Sequence, residues 1–252
     1  DSLKESKIFQ KFPFFRDQVE YCPEIEKNIL PVSVDETLVQ TVYRKNPESE
    51  KNIVKGINST GVNELFNTGD ILTTVLKDVF QNVNVYEDRV RLLQYPFDSP
   101  ISDNGIGFYR YYIMDTLYVE TYKCFHLSFV PNNSQDFGFS GNLYIVADST
   151  YRVKRVQMGV PMRTGINFVE GMDITQVYDQ LPTGEQVLIK DDMIVQLRLA
   201  KFIQKFQVRR TTEYSNYDFS KIPDKTFRFK GNQVTAANAM MQDEEFWQEH
   251  RS

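Results

Sequence analysis

The sequence predicts a mainly β fold with a few helices: a large curved antiparallel sheet or half-barrel wrapping a helix. Three observations carry that expectation. Aromatics make up 13% of the 252 residues, as 19 Phe and 14 Tyr against one Trp, and both types suit pleated, half-buried surfaces. From residue 83 onward, apolar and polar residues alternate in short runs closed by turns, the pattern of successive hairpins. One stretch, residues 62–83, instead repeats its apolar side chains at helical spacing.

The elements follow in order. In KIFQKFPFFRDQVEYC, Pro13 interrupts any helix, so residues 1–29 read as a segment packed on the body. ILPVSVDETLVQTVYRKN alternates from Val32 as a strand with one irregularity. NPESEK is turn chemistry, and NIVKGINSTG is the returning strand of a hairpin. In the helical stretch, Leu65, Phe66, Leu72, Val75, Leu76, Val79 and Phe80 form one stripe. Asp70 is placed to cap a helix near 71–83, and the stripe requires an apolar surface to lie on.

The text then runs as strands: NVYEDRVRLL, GFYRYYIMDTLYVETYKCFHLSFVP, FGFSGNLYIVADSTYRVKRVQMGV, INFVEGMDITQVYDQL, QVLIKDDMIVQLRL and FQVRRTTEYSNYDF. PTGE is a tight turn with Gly184 available for positive φ. Residues 30–230 thus form one curved sheet domain. Residues 231–252 form a linker or helix toward a further domain, anchored by Phe246 and Trp247.

Composition narrows the role. A formal charge of −5 and a pI near 5.2 disfavour nucleic acid, whose binding rests on neutralising phosphates. No apolar run approaches the ~18–20 residues of a membrane helix, and no signal peptide stands at Asp1. The chain reads as a processed or excised portion of something longer. Cys22 and Cys124 either pair, closing a long loop, or stand as separate buried thiols.

FDSPISDNGIGFYRYYIMDT (97–116) resembles a site, with two acids flanking an aromatic strand. Alternation sends Tyr109, Tyr111 and Ile113 to one face, and Phe108, Arg110, Tyr112 and Met114 to the other. Both faces are largely apolar, which predicts cover on both. At about 3.3 Å per residue, Asp103 and Asp115 lie roughly 30–40 Å apart, too far to share one bond. Asp191 and Asp192 are neighbours on a strand and face opposite ways. Cys124 and His126 share a face, yet with Cys22 and His250 they match no metal spacing. P-loop, GxGxxG, GxSxG and HExxH motifs are absent. No cofactor, metal or catalytic residue is therefore expected.

LPVSVDET (30–37), NVNVYEDRVRLL (82–93), FDSPISDNGIGFYRYYIMDT, FVPNNSQDFGFSG (129–141), GINFV (165–169) and FWQEHR (246–251) resemble, in that order, the central region of a family of unknown function in Bacteroidota envelope proteins. Members usually follow a carboxypeptidase-regulatory-like domain. The resemblance implies an exported, periplasmic, outer-membrane-associated protein whose natural chain continues into a β-barrel. It carries over no catalytic residue, because the regulatory domain is a non-enzymatic sandwich and is absent here. FSGNLYIVADSTYRVKRVQM is also similar to hairpins of periplasmic lipoprotein-carrier half-barrels.

The resulting expectation is a non-catalytic periplasmic module that binds a hydrophobic or lipidated cargo, or docks envelope protein partners. Phe108, Tyr112, Met114, Phe137, Phe139, Leu143 and Ile145 line either a ligand groove or sealed core beneath the helix. A rival, an envelope hydrolase acting on glycan or peptide, requires two or more of Asp103, Asp115, Asp148, Asp191, Asp192 and Glu213 to converge in a pocket. A structural spacer requires no deep pocket.

Overall fold

The computed structural model describes residues 20–22, 27–29, 33–61, 80–92, 95–160, 169–197 and 206–251. The expected helix over 62–83 falls mostly on 62–79, outside the described residues, as does the segment before Glu20. At the edge of that span, residues 80–84 are not helical. The chain forms two compact units, one of residues 1–69 with 219–252 and one of residues 70–218. The span 30–230, expected as one sheet domain, therefore contributes to both.

In the first unit, β1 (Glu20–Cys22) pairs with β2 (Lys27–Ile29). The long hairpin of β3 (Ser33–Lys45) and β4 (Glu48–Gly61) turns at Asn46-Pro47, where the sequence places it. Its C-terminal partners come from far along the chain. Lys51 sits buried on β4 and its Nζ donates to the carbonyls of Phe229, at 3.1 Å, and Gly231. That anchor lays residues 233–235 beside β4 as a parallel strand. A short helix follows at 244–250, capped by Asp243, whose carboxylate accepts the Phe246 N–H at 2.9 Å. Trp247 from this helix is buried, and its ring lies 3.0–3.1 Å from where a Cβ on Gly56 would stand. A bare glycine on β4 is what lets the indole approach.

The second unit opens with the small hairpin β5 (Arg89–Leu92) and β6 (Tyr95–Asp98). A helical turn α1 (Gly105–Phe108) leads into seven strands. These are β7 (Tyr109–Val119), β8 (Tyr122–Pro131), β9 (Ser140–Val146), β10 (Val153–Val160), β11 (Val169–Gln180), β12 (Gln186–Leu197) and β13 (Phe206–Glu213). They pair strictly in sequence order as one antiparallel sheet, β13-β12-β11-β10-β9-β8-β7, as expected of a run of hairpins. Gly184 takes φ +105 in the β11–β12 turn.

The registers explain why one face is apolar and the other largely polar, apart from a small buried cluster of Val119, Cys124 and Val146. Met158, Ile174 and Met193 lie side by side across β10, β11 and β12. With Leu143, Val156, Met172, Val195 and Leu197 they form the buried core. Stepping one residue along each strand gives the row Ser128, Asn142, Gln157, Thr175, Asp192 and Thr211, which is polar throughout. The segment from Phe80 through β6 covers the dry face with Val83, Val85, Val90, Leu92 and Phe97. Phe97 stacks on Phe139 at 4.6 Å.

The half-barrel expectation is corrected here. The end strands β7 and β13 do not pair with each other, and no sheet of the described residues is closed into a barrel or strongly curled. The physical reason is the wet face. A sheet with one apolar side needs one covering layer, and residues 80–98 supply it without any need to wrap. The similarity to lipoprotein-carrier hairpins does not extend to the fold.

Candidate functional site

The stretch 97–116 proves to be a fastening that ends in a bare sheet edge. Ser99 is fully buried, and its hydroxyl donates to the Val85 carbonyl at 2.5 Å. Tyr109 donates its hydroxyl to the Asp98 carbonyl at 2.6 Å and accepts the Phe139 N–H at 3.2 Å. Burial pushes that phenol's pKa far up. Tyr111 donates to the Pro100 carbonyl at 2.7 Å. A Cβ on Gly105 would stand 2.9 Å from that Tyr111 hydroxyl and 3.0 Å from the Ser99 carbonyl, so the turn closes only with glycine there. Asp103 is an exposed turn residue.

The inner tyrosines thus tie β7 to the covering layer, and cover on both faces is not found. From Tyr112 to Thr116 the strand is exposed, with Tyr112 46%, Ile113 80% and Met114 58%, and Tyr118 stands 70% exposed between half-buried Leu117 and buried Val119. Among the described residues, β7 pairs with β8 on one side only. A bulge between Ile113 and Asp115 shifts the register, so that Asp115 stands opposite His126. Phe125 and Val130 on β8 are exposed too. Exposed apolar side chains on an edge strand are a feature that folds usually blunt.

The seven groove candidates do not share one surface. Phe139 and Leu143 are fully buried, while Phe108, Phe137 and Ile145 are half-buried against the same core. Phe137 packs between Phe97, at 4.7 Å, and Tyr95, at 5.2 Å. Only Tyr112 and Met114 are offered to solvent, both from β7.

The candidate acids are engaged one by one. Asp115 holds His126 Nδ1 at 2.9 Å, and the other ring nitrogen meets Asn142 Oδ1 at 2.9 Å. Asp148 accepts from the Thr150 hydroxyl, which holds its pKa below the usual carboxylate range. Asp192 pairs with Arg209 at 2.7 Å, and Glu213 with Lys190 at 2.9 Å. Asp191 faces the opposite way from Asp192, as alternation requires, but is buried rather than solvated. It accepts from Arg210 at 2.9 Å and from Gln176 at 2.9 Å. Among the described residues no group of three or more His, Cys, Asp or Glu is placed to hold a metal. Cys124 is free and buried, with its thiol pKa pushed up by that burial.

A second feature escaped the sequence reading altogether. Residues Val83, Asn84, Tyr86, Tyr178, Gln186 and Leu188 line a cleft of about 380 Å³ where the covering layer meets β11 and β12. Tyr178 forms its inner wall. Its hydroxyl donates to Gln176 Oε1 at 2.8 Å, and Gln176 donates in turn to the Val83 carbonyl at 2.7 Å and to Asp191. Tyr86 meets the Tyr178 ring edge-on at 5.4 Å. The turn residues NVYED gave no periodic signal for this site, because its parts are brought together only by the sheet.

Fold and surface together define a mainly β protein with an open antiparallel sheet and an exposed apolar edge. The chain belongs to a family of unknown function, DUF5686, whose model matches residues 3–217. No curated protein and no solved structure matches it. No helix of the described residues is long and apolar enough to cross a membrane.

Proposed function

We propose that this chain is a non-catalytic docking module of the cell envelope, which binds an extended segment of a partner protein along β7. The observation that carries the reading is an edge without a second strand among the described residues, with Tyr112, Ile113, Met114 and Tyr118 exposed along it. An added strand takes up the free backbone donors and acceptors of such an edge, and its side chains meet the exposed rings on alternate faces. Placement in the periplasm, against the outer membrane, rests on the resemblance to Bacteroidota envelope proteins. The individual pairing of the carboxylates supports a binding role over an envelope hydrolase. The burial of Phe139 and Leu143 favours a protein partner over an acyl cargo.

A photoreactive residue placed at Ile113 or Tyr118 in the native host tests this. A discrete protein adduct is expected at both positions, absent from a probe at Thr175 on the wet face and lost when Met114 is replaced by proline. An adduct of twice the chain mass would identify the partner as a second copy. Lipid adducts alone, or equal labelling from Thr175, would refute docking at this edge.

A further inference from the structure

The cleft under Tyr86 lies on β11 and β12, four and five strands from β7 in the sheet order, and it is independent of docking at that edge. The chemistry left over at its walls identifies what it takes. Gln186 donates both hydrogens of Nε2, to the Tyr86 hydroxyl at 2.8 Å and the Val153 carbonyl at 2.7 Å. The carbonyl contact fixes which end of the amide is nitrogen, so Oε1 remains as an acceptor. Asn84 Oδ1 accepts the Tyr86 backbone N–H at 3.0 Å, which leaves the two hydrogens of Nδ2. The Tyr86 hydroxyl accepts from Gln186 and keeps its own proton to donate.

The walls therefore combine aromatic faces with neutral donors and acceptors, and no described lining residue carries a charge. None of these residues supplies a counter-ion for an anion or a cation. A straight acyl chain would leave the amides unpaired. The volume stands at the small end of the ~300–1,000 Å³ usual for ligand clefts, the size for one ring. A ring with hydroxyls around its rim and C–H bonds on its face satisfies every wall, since C–H edges are attracted to the negative face of an aromatic ring.

The geometry points to a neutral pyranose, a single uncharged sugar unit, bound between Tyr86 and Leu188 with its hydroxyls on Asn84 and Gln186. The site is preformed. Tyr178 is held by the buried chain through Gln176 and Asp191 to Arg210, and Tyr86 is held by Gln186 and the edge-on ring contact.

The test is a titration of the intact chain, followed by isotope-edited NMR, with methyl glycosides of glucose, galactose, mannose and N-acetylglucosamine. Glucuronate and octanoate serve as the charged and acyl arms. At least one neutral glycoside should saturate with a dissociation constant of about 1 mM or tighter, the strength expected for a ligand of this size. Asn84→Ala, at an exposed residue that cannot unfold the sheet, should weaken it at least threefold, and Tyr86→Ala at least tenfold. Tyr86→Phe, which keeps the ring, should fall between wild type and Tyr86→Ala. Oligosaccharides and purified lipopolysaccharide in a second series separate a chain-end sugar from a membrane-borne one. No saturable neutral glycoside, tighter binding of octanoate or glucuronate, or binding unmoved by both Asn84→Ala and Tyr86→Ala would overturn the assignment. Photo-crosslinking at Ile113 is unaffected by either variant, so the two proposals fail separately.

Discussion

At the residue scale, the informative side chains are polar groups buried where the alternation pattern leaves room for only apolar ones. Asp191 is 2% exposed and joins Arg210 to Gln176. Removing one member of a buried pair leaves the other charge uncompensated, which costs ~3–5 kcal/mol. Asp191→Ala should therefore lower the urea midpoint of the second unit sharply. Glu213→Ala, in the exposed pair with Lys190, should change it by under about 1 kcal/mol. Equal effects would mean that Asp191 is solvated after all. Gly141 is a steric counterpart. A Cβ there would stand 1.9 Å from the Gln157 carbonyl oxygen, so Gly141→Ala forces the β9 and β10 backbones apart and should cost at least ~1–3 kcal/mol. Alternation made the opposite facing of Asp191 and Asp192 legible in the sequence. The burial of Asp191 was not, because Arg210 arrives from the next strand, 19 residues on, in a register that no local pattern records.

At the element scale, strands with short connections were readable and long-range partners were not. The hairpin 33–61 and the turn at Gly184 follow from alternation and turn chemistry. The parallel addition of residues 233–235 to β4 does not, since it depends on Lys51 reaching two carbonyls some 180 residues away. The exposure of β7 departs from the expected cover for a related reason. Its side chains look equally apolar on both faces, yet beyond Tyr111 both faces are left exposed, Ile113 on one and Tyr112 on the other. Edge exposure separates stability from docking. Ile113→Lys with Met114→Lys should leave the thermal midpoint nearly unchanged, because surface substitutions cost within about 0.5 kcal/mol, while abolishing photo-crosslinking at Tyr118. Tyr109→Phe on the inner face of the same strand should behave in reverse. It leaves docking intact and loses ~1–2 kcal/mol, because the Phe139 N–H and the Asp98 carbonyl lose their partner. A large destabilisation from the double lysine variant would show that Ile113 and Met114 are packed, and the edge is not free.

At the scale of the whole molecule, the mainly β character was legible from composition, and the openness of the sheet was not. Curvature depends on whether the second face must be covered, and that depends on register across seven strands. Acid stability is a property of the same scale, because it sums over both units. Hydrogen bonds from Arg251, then Asn58, hold the Glu36 carboxyl below its usual pKa. At Asp179 burial pulls upward, but the Gln180 N–H, the Tyr122 hydroxyl and Lys154 outweigh it and the net shift is down. Such a group binds its proton more weakly folded than unfolded. Above the unfolded value, near pH 4, both states are ionised and the full stabilisation is present. As pH falls the unfolded chain takes up the proton first, and the advantage drains away until the folded group is protonated as well. Partial desolvation of the Asp173 carboxylate acts in the opposite sense, raising its pKa, and so relieves a small penalty on acidification. The lowered groups outnumber it, and stability should hold level from about pH 5 to 8 and fall steeply below about 4. Arg251 bonds Glu36 through two nitrogens at 2.7 and 2.8 Å. Arg251→Ala should then lower stability at pH 7 and flatten the acid limb, since Glu36 reverts toward its unfolded pKa. Urea unfolding at half-unit steps from pH 3 to 7 compares the two proteins. An acid limb equally steep in the variant would mean that the Glu36–Arg251 pair contributes nothing to folding.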